Sequence, residues 1–156
     1  MTFHFEQAIR GMNATYKLEE KTSLEPLVMI QELKKFKKIL AEELDEIDII
    51  IAEVEGSPAF FMDYFGTLAD IADLLGDLQV YCASEMTKYR IPVNDTLEII
   101  MASNTSKLGA DGEPIKRADG KFLKGPNYWK PESKIKMMIL NHWAAYSANL
   151  PKEPRP

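Results

Sequence analysis

No lysine or arginine occurs between Lys38 and Lys88, although the same stretch carries twelve acidic residues, from Glu42 to Glu85. A solvated helix face ordinarily mixes both signs, because i,i+4 pairs help and unrelieved like charges repel. A one-sign block therefore belongs either to a disordered tail or to a cation. The aliphatic residues threaded through it, Leu40, Ile47, Ile50 and Leu74 among them, exclude disorder. The single cysteine, Cys82, leaves no internal disulfide, and Met1 is followed by a polar and aromatic stretch rather than a basic and then apolar leader. Both features point to a reducing cytoplasm. No apolar run approaches the roughly 20 residues that span a bilayer, so a soluble chain with no membrane partner is expected. A net charge of -5 argues against a nucleic-acid binder, whose footprint is basic.

What is present is one core's worth of apolar residues: 156 residues, 46% of them hydrophobic, predict a single domain over 1–150 with a disordered tail at 151–156. The pattern is helical. It predicts helices over about 2–16, 26–55, 59–89, 95–108 and 132–146, with Pro26 allowed in a first turn and a possible break at Gly66. Asp95 and Glu98 have capping-box spacing, and Gly109 stops that helix. The stretch 109–131 holds Asp111-Gly112 and Asp119-Gly120, and the second pair predicts a β-hairpin turn. Cys82 falls on an apolar arc and is read as a buried small hydrophobe.

At about 100° per residue, Phe36, Ile39, Leu40, Ile47, Ile50 and Val54 all lie within about 60° of Glu43 on the second helix. Glu43 thus points out of the middle of the apolar stripe, where an uncompensated carboxylate is costly. Glu42 and Glu46 border the stripe, and Glu53, about 80° from Glu43, falls outside it. On the third helix Asp70, Asp73 and Asp77 share a sector of about 60°, with the small residues Ala69, Ala72, Gly76 and Ala83 on the other flank. Two antiparallel helices joined by a short turn aim these carboxylates at each other, an all-oxygen donor set suited to Mg²⁺ or Mn²⁺. A di-iron bundle would need Glu-x-x-His pairs, which His4 and His142 do not form. Ten basic residues between Lys88 and Lys136 follow the acidic block, as a metal-chelated polyphosphate would want. Asn104 and Lys107 extend the apolar side of the fourth helix, and Lys121 and Lys124 flank the hairpin.

The segments L-A-E-E-L-D-E-I at 40–47 and D-I-A-D-L-L-G-D-L-Q-V-Y at 70–81 resemble the all-α nucleoside triphosphate pyrophosphohydrolases, the MazG-like and phosphoribosyl-ATP-pyrophosphohydrolase-like group. The stretch from Ala102 to Tyr128, with S-N-T-S-K-L and K-G-P-N-Y, resembles the phage and bacterial branch of that group. The resemblance implies an all-α antiparallel helix bundle with a small C-terminal β-hairpin, and hydrolysis of a nucleoside triphosphate at the α–β anhydride to a monophosphate and pyrophosphate. It implies metal ligands at Glu43, Glu46 and Asp77. Leu74 stands where the group has a further acid, leaving Asp73, or Asp70 with Asp73, as the partner of Asp77. Glu42 and Glu46 are the implied water-activating carboxylates, and Asn104, Lys107, Lys121 and Lys124 the implied substrate-binding residues. Self-association as a dimer or tetramer is implied as well. The competing expectation is a non-catalytic helical module of the same fold, metal-stabilised or protein-binding.

Overall fold

A computed structural model describes residues 4–58 and 63–150 and divides the chain into two compact units, Met1–Tyr89 and Arg90–Pro156. The expected tail at 151–156 and the expected helix start at Ala59 lie outside the described residues.

The first unit holds α1 (Phe5–Thr15), α2 (Pro26–Gly56) and α3 (Tyr64–Lys88), with α3 packed on both of the others. Pro26 opens α2 after an extended Glu25, and Ser57 returns to extended geometry after Gly56. Asp63 caps α3, its carboxylate accepting from the Gly66 amide at 3.0 Å. Gly66 does not interrupt the helix: it lies in the first turn, where a Cβ would stand 2.6 Å from Oδ2 of Asp63, the other oxygen of the capping carboxylate.

A buried polar knot ties α1 to α3. Asn13 donates to the Ser84 carbonyl at 3.2 Å and to the Thr87 hydroxyl at 2.8 Å, while the Ser84 hydroxyl donates back to Asn13 at 2.7 Å. Asn13 is 3% exposed and Thr87 0%. Asn13→Ala leaves these partners buried and unsatisfied, so a loss of about 1–3 kcal/mol is expected in urea titration. A change within about 0.5 kcal/mol, the usual range of a surface substitution, would contradict that accounting.

The second unit pairs α4 (Val93–Thr105) with α5 (Glu132–Ala148). The expected capping box at Asp95 does not form. Pro92 precedes the first helical residue, Val93 is buried, and the Thr96 hydroxyl donates to the Pro92 carbonyl at 2.6 Å. Asp95 is placed instead in the first turn, where its charge meets the positive helix end.

The expected β-hairpin reduces to a turn. Lys116 and Phe122 form an isolated antiparallel bridge, and no β-strand forms among the described residues. The Asp-Gly turn is there, with Gly120 at φ 83, but its arms are exposed and meet no further strand.

α1 and α2 cover only part of α3. Leu68, Ile71 and Leu75 are 58%, 37% and 51% exposed, and Cys82 is exposed rather than buried as expected. These four share one helical face. Of the small-residue flank, Ala83 alone is buried, and no atom beyond its own helix lies within 4 Å of a Cβ placed on Gly76. No helix among the described residues is long and apolar enough to cross a membrane.

Candidate metal site and ligand pocket

Glu43 is the one buried residue of α2, at 6% exposure. Ile39, Ile47 and Ile50 around it are half-buried, as the stripe predicts. Desolvation pushes the Glu43 carboxyl above the ordinary carboxylate range, and the nearby charges of Glu46, Asp77 and Glu42 add to the effect. A hydrogen bond from the Tyr81 hydroxyl opposes it. Tyr81 is itself raised, by its own burial first and then by the charges of Glu43, Asp77 and Glu46. The Oε2 atom of Glu43 has no hydrogen-bond partner. A buried, bare carboxylate oxygen among like charges is a costly arrangement for a helix pair to keep.

Further along α2, Glu46, Ile49, Ile50 and Glu53 line an open groove of about 330 Å³ together with Asp70 and Asp73 of α3. A second cleft shares Glu53 and Asp70 and continues to Asp63 and Thr67. Rising numbers on α2 meet falling numbers on α3, so the two helices run antiparallel, as expected. Glu46 borders both clusters: Glu43 and Asp77 on one side, Glu53, Asp70 and Asp73 on the other. Glu42 is exposed. Among the described residues no three carboxylate, imidazole or thiol groups converge as a metal-binding cluster.

Two acids escaped the sequence reading. Glu53, placed outside the stripe by its helical angle, lines the groove because the crossing of α3 reaches past the stripe's edge. Glu85 is buried at 8% exposure with its Oε1 bare, and pairs with Lys88, which lies 3.6 Å from Glu32. The Glu85 and Lys88 spacing was legible as an i,i+3 pair; its burial was not. Leu74, where the resembled group carries an acid, is buried and serves packing.

In the second unit the two motif stretches bind each other. The Ser103 hydroxyl donates to the Trp129 carbonyl at 2.9 Å, the Trp129 amide donates to the Ser106 hydroxyl at 3.2 Å, and the Gly125 amide donates to the Lys107 carbonyl at 2.9 Å. The serines of S-N-T-S-K-L thus clamp the segment that follows K-G-P-N-Y. Between them opens a pocket of about 400 Å³ lined by Asn104, Lys107, Leu108, Pro114, Ile115, Phe122 and Leu123. Asn104 and Lys107 lie where a ligand would meet them. Lys121 and Lys124 do not line this pocket, and the Lys124 ammonium stands 4.6 Å from the Tyr128 ring centroid. Other basic residues also rest on rings, with Lys134 over Trp129 and Arg90 over Tyr146, each at 3.7 Å.

No protein-family model matches the chain, and no curated protein matches it. The fold is similar to a solved structure from Exiguobacterium sp. 255-15, provisionally described as an NTP pyrophosphohydrolase. The match has a TM-score of 0.53 at 20% identity and covers 92% of this chain and 84% of the other. The class defined at this level is an all-helical fold of the kind seen in that protein.

Proposed function

We propose that this chain is a Mg²⁺-dependent nucleotide pyrophosphohydrolase that cleaves the α–β phosphoanhydride of a nucleoside triphosphate. The observation that carries the reading is Glu43, a buried carboxylate with a bare oxygen set among Glu46, Asp77 and Glu42. The donor set is all carboxylate, which suits a hard divalent cation such as Mg²⁺ or Mn²⁺, and Glu43, Glu46, Asp73 and Asp77 would hold it, with Asp70 beside them. A bound cation supplies charge neutralisation to the polyphosphate and acidity to water. Glu46 or the exposed Glu42 takes the proton as the water oxygen attacks the α-phosphorus. The Pα–O–Pβ bond breaks, and pyrophosphate leaves with the electron pair while the nucleoside monophosphate remains. Asn104, Lys107, Lys121 and Lys124 are the proposed substrate contacts.

Millimolar Mg²⁺ or Mn²⁺ is expected to raise the melting temperature, because the cation binds the folded carboxylate set. Pyrophosphate release should follow for at least one nucleoside triphosphate, deoxynucleotide or phosphoribosyl-ATP in a substrate screen. A melting curve indifferent to both metals, with and without nucleotide, together with no pyrophosphate release, would favour the alternative of a non-catalytic module. One observation favours that alternative: no three donors converge among the described residues.

Self-association belongs to the same reading. The apolar face Leu68, Ile71, Leu75 and Cys82 and the open flank at Gly76 suit a second copy of the chain, as dimer or tetramer. Light scattering at micromolar concentration should give at least twice the mass of the 17.7 kDa chain. A clean monomer contradicts it.

A further inference from the structure

We propose that Tyr81 is a positioning residue for the cation: its hydroxyl holds one oxygen of Glu43 and so presents the other, Oε2, to the metal. This rests on the proposed metal site and not on the proposed hydrolysis.

Two buried carboxylates among the described residues keep an oxygen without a hydrogen-bond partner, Glu43 at Oε2 and Glu85 at Oε1. They differ in what holds them. Glu85 is paired through its Oε2 with the Lys88 ammonium, so its charge is cancelled in place. Glu43 accepts instead from the neutral Tyr81 phenol. No lysine, arginine or histidine occurs between Lys38 and Lys88, so the parts of α2 and α3 around Glu43 can supply a hydroxyl but no cation. A phenol donates one hydrogen bond and adds no charge at neutral pH. Glu43 is thereby held without being neutralised, and its negative charge remains for a metal ion.

The hold matters because a glutamate's last torsion is broad and roughly two-fold, so a free carboxylate turns its oxygens through many directions. A hydrogen bond to one oxygen restricts that torsion. Oε2, which carries no hydrogen bond, is then the stronger donor toward a cation and the one whose direction is set. Tyr81 follows Asp77 by one turn of α3, so the same helix face supplies a proposed ligand and the group that orients Glu43. Glu43 is 6% exposed, which leaves water little room to take the place of the phenol. Partners that hydrogen-bond to ligating carboxylates orient them, and their loss costs about 10–100-fold in metal affinity or activity.

Mn²⁺ titration of the full chain without nucleotide, read by electron paramagnetic resonance of the free ion, tests this without any turnover. Tyr81→Phe removes one oxygen, keeps the ring, and should weaken Mn²⁺ by about 10–100-fold. Replacing Tyr81 by 4-aminophenylalanine returns an N–H donor to the same end of the ring and should recover most of that affinity, which a ring that serves only packing would not do. Tyr64→Phe, at a tyrosine of the same helix that is 58% exposed, should leave Mn²⁺ affinity unchanged. A mere tie between α2 and α3 would lower the metal-free melting temperature and leave the Mn²⁺ affinity of the folded protein as it is. If Tyr81→Phe loses its helical circular dichroism, the 4-aminophenylalanine chain, expected to bind Mn²⁺ nearly as wild type does, carries the comparison. Unchanged Mn²⁺ affinity in Tyr81→Phe, an equal loss in Tyr64→Phe, or no recovery with 4-aminophenylalanine overturns the positioning role and leaves Glu43 as a ligand. No Mn²⁺ binding by the wild-type chain removes the metal site and this role with it. Weakened Mn²⁺ binding in Tyr81→Phe, in a protein that never releases pyrophosphate, sinks the proposed hydrolysis and leaves the role of Tyr81 standing.

Discussion

Glu43→Gln is expected to lower pyrophosphate release by at least about 100-fold, the scale of losing a positioned acid–base or metal-holding group, and to remove the Mg²⁺-induced rise in melting temperature. The same change should leave the metal-free protein as stable as wild type or more so. Glutamine keeps the side chain's length and its capacity to accept from Tyr81, while deleting a charge that burial and the neighbouring Glu46 and Asp77 disfavour. The pH dependence follows from the sign of the shift. A carboxyl raised above its unfolded value binds its proton more readily in the folded state, so its destabilising contribution is present at neutral pH and fades as pH falls through the raised value toward about 4.5. The stability gap between the variant and metal-free wild type should therefore narrow on mild acidification. The exposed Asp48 supplies the control: Asp48→Asn changes the same charge on the same helix and should keep activity within a few-fold. Glu53 cannot serve as that control, because it lines the groove with Asp70 and Asp73. Full turnover in Glu43→Gln, or identical behaviour of Glu43→Gln and Asp48→Asn, would show that the acidic block is only a solvated face.

Gly125→Ala should be the most destabilising small substitution in the second unit. A Cβ there would lie 1.8 Å from the Leu108 carbonyl oxygen, 2.6 Å from its carbon and 2.9 Å from the Lys107 oxygen. All three are backbone atoms just beyond the end of α4, so no side chain can swing aside. The Gly125 amide also donates to that Lys107 oxygen, so moving the segment away breaks a bond as well. A loss of about 3 kcal/mol or more is expected, near the upper end for overpacking, and a fall in melting temperature of about 6–12 °C for a chain of this size. Because Leu108 and Lys107 line the pocket, ligand binding should fall with it. Gly11→Ala gives the contrast. Nothing stands within 4 Å of a Cβ at Gly11, which is inside α1. Alanine there should stabilise by about 0.5–1 kcal/mol. Equal effects of the two substitutions in chemical denaturation would contradict the close approach at Gly125.

The helices were legible in the residues alone, because a 3.6-residue apolar period and local breakers act over a few neighbours. So was the place of Glu43 in the apolar stripe, since that needs only the phase of one helix. So were the turns at Gly112 and Gly120; both adopt positive φ, at 82° and 83°. Packing settles whatever depends on two elements at once. Helical phase gives an angle about one axis, but neither the crossing of a neighbour nor how far it reaches, so Glu53 joined the groove and Cys82 stayed exposed. Burial of a polar group depends on partners that the local pattern does not contain: Asn13 is buried because its partners, Ser84 and Thr87, arrive from 71 and 74 residues away. The Asp95 cap failed for a related reason, as burying Val93 behind Pro92 outweighed a local hydrogen bond. The motif serines 103 and 106, legible as a pattern, took the role of a clamp only because the chain returns at Trp129 to meet them.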